Sequence, residues 1–181
     1  MNTNSRWTPL LLTAAVIIAD QVTKFIVVSY LPFGRPVEVL GDFLRLTYVH
    51  NPAIAFSIGR NLPISVELKR IIVSILPVLV IAGISYYYVA STEISRAQRW
   101  LLAAMLGGGI GNFIDRIVRP DGVVDFVDVE FFNIFGLQRW PTFNVADSSV
   151  VVAGFLLLLT FLRAEFFERN KDAAHSREEE A

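Results

Sequence analysis

Hydrophobic positions fall into four blocks along the chain, and each block is interrupted by polar residues at particular places. The first, residues 8–28, is apolar except where Asp20, Gln21, Thr23 and Lys24 break it. Asp20 and Lys24 stand four residues apart with the acid first, so a helix sets them up as an internal ion pair. The second block contains Ile71 to Ala90, 20 residues without a charge, which span about 30 Å as a helix and match the core of a bilayer. The third, residues 98–116, carries Gly107-Gly-Gly-Ile-Gly-Asn-Phe-Ile-Asp-Arg116. Its glycines suit close helix approach in lipid, and Asn112, Asp115 and Arg116 share one helical face. The fourth, residues 143–163, is apolar apart from Asn144, Asp147 and a few hydroxyls. The pattern predicts a mainly α, polytopic membrane protein with four transmembrane helices, at about 68–90 for the second and at the block limits above for the others.

The segments between the blocks differ in character. Residues 35–60 include Phe43-Leu-Arg-Leu-Thr-Tyr-Val49, whose β-branched and aromatic content predicts a small β-rich half-sheet at the outer membrane face. Arg119 to Pro141 holds Phe126, Phe131, Phe132, Phe135 and Trp140, an aromatic density suited to the membrane interface. Residues 1–165 read as a single domain, and residues 166–181 as a polar, disordered cytoplasmic tail. Arg6 and Leu10 to Ala19 imitate a signal peptide, but no small-x-small cleavage site follows, so the segment is expected to remain as the first span. An even number of spans puts both termini on one side. The charges there lie in short segments close to the spans, which assigns the termini to the cytoplasm.

Composition agrees and narrows the chemistry. Of 181 residues, 54% are hydrophobic and 18% charged, with a formal net charge of −1. No basic stripe suggests nucleic acid. With no cysteine, disulfides, thiolate zinc sites and a cysteine nucleophile are excluded. His50 and His175 lack the spacing of a zinc peptidase, and Ser57 in Ala55-Phe-Ser-Ile-Gly59 has no nucleophile elbow. The expectation is therefore chemistry without metal or cofactor.

Acids remain. Asp147 lies near the start of the fourth block, three residues after Asn144 and on the same face, and Asp125 follows the turn signal Pro120-Asp-Gly122 in a short strand-like stretch. Taken singly, Asp147 reads as a helix N-terminal acid and Asp125 as a loop acid. Together at one membrane face they form a pair in which one proton is shared. The ionised member takes a proton from water while its protonated neighbour donates toward a scissile carbonyl. Asp128, in an alternating Val-Asp-Val-Glu130 stretch, reads as solvent-facing, and Asp115 with Arg116 as an anchor for the span end. A proton- or ion-coupled carrier using Asp20, Lys24, Asp125 and Asp147 is the rival reading, and a non-catalytic helical subunit the third. A carrier relay places acids through the bilayer, whereas these gather at one face.

Five motifs in order, Asp20-Gln-Val-Thr-Lys24, Asn51-Pro-Ala-Ile-Ala-Phe-Ser57, Gly107 to Arg116, Val124-Asp-Phe126 and Phe143-Asn-Val-Ala-Asp147, resemble the bacterial lipoprotein signal peptidases, or signal peptidase II. The resemblance covers Trp7 to Leu162. It implies an aspartic intramembrane peptidase of the bacterial inner membrane, with four spans, cytoplasmic termini and a site near the outer face. The implied substrate is a prolipoprotein cut just before a diacylglyceryl-modified cysteine. The implied catalytic pair is Asp125 and Asp147, supported by Asp20, Lys24, Asn51, Asn112, Arg116 and Asn144, and the Phe43 to Ser57 region resembles the family's substrate-cradling half-sheet. Membrane lipid is the surrounding partner, a monomer is expected, and cyclic peptide inhibitors of the family are expected to occupy the dyad. The chain departs from the family pattern in Asn51-Pro-Ala-Ile-Ala55, in Gly109 where alanine is usual, and in a longer stretch between Asp125 and Asp147.

Overall fold

The computed structural model describes residues 6–52 and 65–179. Within them the chain forms helix α1 (Leu10–Tyr30), strands β1 (Pro36–Leu40) and β2 (Leu44–Asn51), helices α2 (Val66–Ala90) and α3 (Arg96–Val118), strands β3 (Val123–Ile134) and β4 (Leu137–Arg139), and helix α4 (Val145–Glu179). Among the described residues, three helices are long and apolar enough to cross a membrane: Leu10–Tyr30, Arg96–Val118 and the Val145–Arg163 part of α4, with mean hydropathies of 1.9, 1.4 and 2.2. In α2 the apolar stretch is the shorter Ile75–Ala90.

Local signals set the helix limits. Ser65 caps α2 by accepting from Leu68 N–H, and Ser95 with Gln98 forms a reciprocal capping box at the start of α3, which satisfies amide groups that a helix start leaves unpaired. Helix α4 runs past the expected end of the fourth span. The polar stretch from residue 166, read from the sequence as a tail without order, is helical through Glu179, because its Ala, Glu, Arg and Lys residues have high helix propensity and no glycine or proline interrupts them.

Helix α3 is the centre of the bundle, and its glycines are the reason. A Cβ on Gly107 would stand 2.7 Å from the Val16 Cβ of α1, one on Gly108 2.4 Å from the Ala146 carbonyl oxygen of α4, and one on Gly111 2.7 Å from Asp20 Oδ2. Three absent side chains thus allow two neighbouring helices to approach α3 closely. Thr13 of α1 adds a 2.7 Å hydrogen bond to the Ala103 carbonyl. At one end Tyr88, Ile94, Leu102 and Ala103 form a buried cluster, and Arg99, itself buried, donates to the Tyr88 and Ser91 carbonyls that end α2.

At the other end sits an antiparallel sheet of order β1-β2-β3-β4. Val27 of α1 packs there against Val124 and Phe126 of β3, with Leu46, Tyr48 and Val145 around them. The half-sheet expected at residues 35–60 is present as β1 and β2. Its remainder, including Ser57 and most of the Asn51 to Ser57 motif, lies outside the described residues. The sequence predicts only a short strand-like stretch around Asp125. It opens a 12-residue strand that pairs along β2, Val49 opposite Asp125 and Asn51 opposite Val123.

Candidate active site

Asp125 and Asp147 arrive from different elements and meet where β3 passes the start of α4. Asp125 is on β3 and 2% exposed. Its Oδ2 accepts from Asn51 Nδ2 at 2.9 Å and its Oδ1 from Asn144 Nδ2 at 2.7 Å. Asn51 reaches it because the register sets Asn51 opposite Val123, two residues from Asp125 and on the same face of the sheet.

Asp147 occupies the third position of α4, and Asn144 precedes the helix as its cap. Asn144 Oδ1 accepts from the Asp147 amide at 2.8 Å, while Asp147 Oδ2 accepts from the Asn144 amide at 3.4 Å. This is a capping box with aspartate in the third position. Asp147 Oδ1 also accepts from Asn112 Nδ2 at 2.7 Å. Asn144, fully buried, therefore holds both acids: its side-chain amide hydrogens point to Asp125, the Val124 carbonyl and Asn112 Oδ1, and its oxygen and main chain fix Asp147.

Behind the pair lies a buried ionic cluster. Lys24 Nζ contacts Asp20 Oδ2 at 2.8 Å, Asp115 Oδ2 at 3.0 Å and Asn112 Oδ1 at 2.9 Å, which uses all three ammonium hydrogens. Asp20 Oδ1 accepts from the Ala146 amide at 3.0 Å, joining α1 to the start of α4. Asp115 also accepts from the Val124 amide, Arg119 and Gln21. One cation thus ties α1 to α3 and, through Asn112, orients the group that donates to Asp147.

Of the residues expected at the site, Asp20, Lys24, Asn51, Asn112, Asn144, Asp125 and Asp147 are joined in one hydrogen-bonded network. Arg116 donates to the Asn112 carbonyl of its own helix at 2.9 Å and lines a cavity rather than the Lys24 cluster. That cavity, of about 210 Å³, lies between α2, α3 and α4, with Pro77, Val80, Ile81 and Val150 among its apolar walls and Asn112, Arg116 and Asp147 at its polar side.

Two assignments change. Asp128 is not solvent-facing: it is 9% exposed, accepts from Thr47 at 2.9 Å and pairs with Arg139. Alternation alone misplaced it because its partner comes from β4, on the far side of a hairpin. Asp115 is a junction of the cluster rather than only an anchor. Gln21 was passed over as a site residue, yet its Nε2 bridges Asp20, Asp115 and the Gly111 carbonyl. Its one signal was a polar side chain beside Asp20 in an otherwise apolar helix.

Burial and the neighbouring Asp147 carboxylate push Asp125 up to about 7, against the opposing hydrogen bonds from Asn51 and Asn144. A carboxyl group so placed is available both with and without its proton at neutral pH.

Comparison with known proteins identifies the family. The family model described as signal peptidase (SPase) II matches residues 12–163. The lipoprotein signal peptidase of Treponema denticola is 46% identical over 153 residues, covering 84% of this chain and 87% of its own. That of Treponema pallidum is 42% identical over 161 residues, covering 88% and 86%. A bacterial membrane enzyme solved by the in meso method at 2.3 Å resolution superposes with a TM-score of 0.72 at 30% identity, over 86% of this chain and 88% of that one. The apolar helices and this likeness mark a membrane-embedded protein, and the matched length from the first helix into the last shows that the chain belongs to the signal peptidase II family of peptidases.

Proposed function

We propose that this chain is an aspartic endopeptidase that removes the signal peptide from diacylglyceryl-modified prolipoproteins, cutting just before the lipidated cysteine. The observation that carries the reading is the double hold of Asn144 on Asp125 and Asp147, which sets two carboxyl groups from separate elements around one buried polar point. Asp125, with its raised affinity for a proton, serves as the acid toward the scissile carbonyl. Asp147, oriented by Asn112 and the amide end of α4, serves as the base that deprotonates water. The roles exchange as the leaving amine departs, and no covalent intermediate is needed.

The apolar cavity that reaches Asp147 supports a substrate that enters from lipid, its acyl chains or apolar signal segment against α2 and α4 and its cut site at the polar end. We take α2 as the second of four spans, with termini in the cytoplasm, the sheet at the outer face of the bacterial inner membrane, and the enzyme acting as a monomer. Cyclic peptide inhibitors of the family would occupy the dyad. The carrier reading is weakened by Lys24, whose three hydrogens are all taken by fixed partners.

The test is incubation of purified protein with a diacylglyceryl precursor peptide and with its unlipidated counterpart, both products being weighed by mass spectrometry. Cleavage before the lipidated cysteine alone is the expected result. Equal cutting of the unlipidated peptide contradicts the substrate assignment.

A further inference from the structure

The hairpin that joins β3 to β4 carries side chains the proposed chemistry does not use. Ile134 pairs with Leu137, leaving Phe135-Gly136 as a two-residue loop with φ of 54° and 77°. Positive φ at both positions is the type I′ geometry, whose first position normally takes Asn, Asp or Gly. Here it is phenylalanine, 92% exposed, in a backbone region that disfavours bulky side chains. Phe132, with φ of 50°, is 65% exposed and stacks on Phe43 at 6.1 Å between ring centroids. Ile134 and Leu137 are exposed as well, and no residue from Phe131 to Leu137 is charged. Apart from the stacking of Phe132 on Phe43, packing among the described residues supplies no reason to aim these groups outward.

What lies against them follows from connectivity and from the order of polarity along the hairpin. The sheet is attached to the same end of three long apolar helices: α1 leads into it after Tyr30, α3 ends at Val118 just before β3, and α4 begins at Val145 shortly after β4. The hairpin is therefore level with one membrane face. Toward its base Trp140 packs edge-on against Phe131 at 4.9 Å, and Arg139 pairs with Asp128 and donates to the Asp42 carbonyl. Away from the uncharged apolar tip, β4 leads through Gln138 and Arg139 to Trp140, so an apolar end gives way to the long cationic and amphipathic aromatic side chains that sit at a bilayer boundary.

We propose that the β3–β4 tip, Phe132 to Leu137, inserts into the boundary between phospholipid headgroups and acyl chains and so holds the strand bearing Asp125 at a fixed height over the membrane. The anchor requires the three helices to be spans. It does not depend on which residues cut the substrate, so its failure and that of the peptidase reading are separable.

Because the chain has no cysteine, F135C can be labelled with a nitroxide in full-length protein reconstituted into phosphatidylcholine and phosphatidylglycerol vesicles. Collision with oxygen, which concentrates in lipid, is compared with collision with a water-soluble nickel chelate. L158C on exposed α4 and E93C in the α2–α3 loop set the lipid and water references, and L137C gives a second reading of the tip. The expected result is an oxygen-to-nickel ratio at both tip positions shifted toward that of L158C. A ratio equal to that of E93C, or spin–spin broadening that places the tip against a second copy, overturns the proposal.

Discussion

Asn144 donates to Asp125 Oδ1 at 2.7 Å and accepts from the Asp147 amide at 2.8 Å through the oxygen of the same side chain. One side chain thereby fixes both acids, next to the backbone hydrogen bonds between Phe143 and Val127 that bring the start of α4 against β3. Asn144→Ala removes both holds at once. Loss of the helix cap is expected to cost about 1 kcal/mol of stability, and misplacement of the acids about 10²-fold in cleavage rate. Thermal unfolding and turnover of a lipidated peptide measured on the same preparation check both, and a rate loss no larger than the stability loss explains would remove Asn144 from the positioning role.

The raised proton affinity of Asp125, to about 7, gives a signed pH dependence. An acid whose folded pKa lies above its unfolded value near 4 stabilises the fold fully below about pH 4 and loses that contribution as pH rises through about 7. Wild-type stability relative to Asp125→Asn should therefore fall between those limits, by on the order of a few kcal/mol, and level off above them. Cleavage should decline on the alkaline side of about pH 7 as Asp125 loses the proton it donates. Unfolding of both proteins across this range, in one detergent, is the measurement. Parallel curves contradict the assignment.

Lys24 is fully buried between Asp20 and Asp115. Lys24→Met leaves the buried Asp20 carboxylate without its cation and Asp115 with Arg119 alone, which costs about 3–5 kcal/mol. The loss should appear as a lowered unfolding midpoint together with reduced activity, since Asn112 also loses a partner.

The glycines give a paired comparison. Gly108→Ala places a methyl group 2.4 Å from the Ala146 carbonyl oxygen, a backbone atom that cannot rotate away, whereas Gly83→Ala meets nothing within 4 Å. The first is expected to destabilise by about 1–3 kcal/mol through overpacking and to shift α4, with Asp147, away from α3. The second should leave stability and cleavage near wild type, and equal behaviour of the two contradicts the close packing of α3 on α4.

Apolar length and polar interruptions made the helices legible, since burial in lipid needs little information beyond hydropathy. The Asp20–Lys24 pair was legible for the same reason: four residues on a helix fix its geometry. Pairing of β2 with β3 was not, because nothing in the local pattern of Phe43 to Val49 names a partner some eighty residues away. Asp128 shows the cost. Its alternation with Val127 and Val129 reads as a solvent-facing position, whereas its burial depends on Arg139 and Thr47, which only the sheet brings together. Gln21 was missed because its partners, Asp115 and the Gly111 carbonyl, come from another helix.

The most direct measurement compares wild type, Asp125→Asn, Asp147→Asn and Asp128→Asn, each purified, folded by its unfolding curve, and incubated with the same diacylglyceryl precursor peptide. Loss of about 10³-fold or more in rate is expected for each of the first two substitutions. Asp128→Asn, which removes the charge paired with Arg139 and one of the two oxygens that accept from Arg139 and Thr47, should be less stable and still cleave. Cleavage at the wild-type rate by either Asp125→Asn or Asp147→Asn contradicts the two-acid mechanism outright.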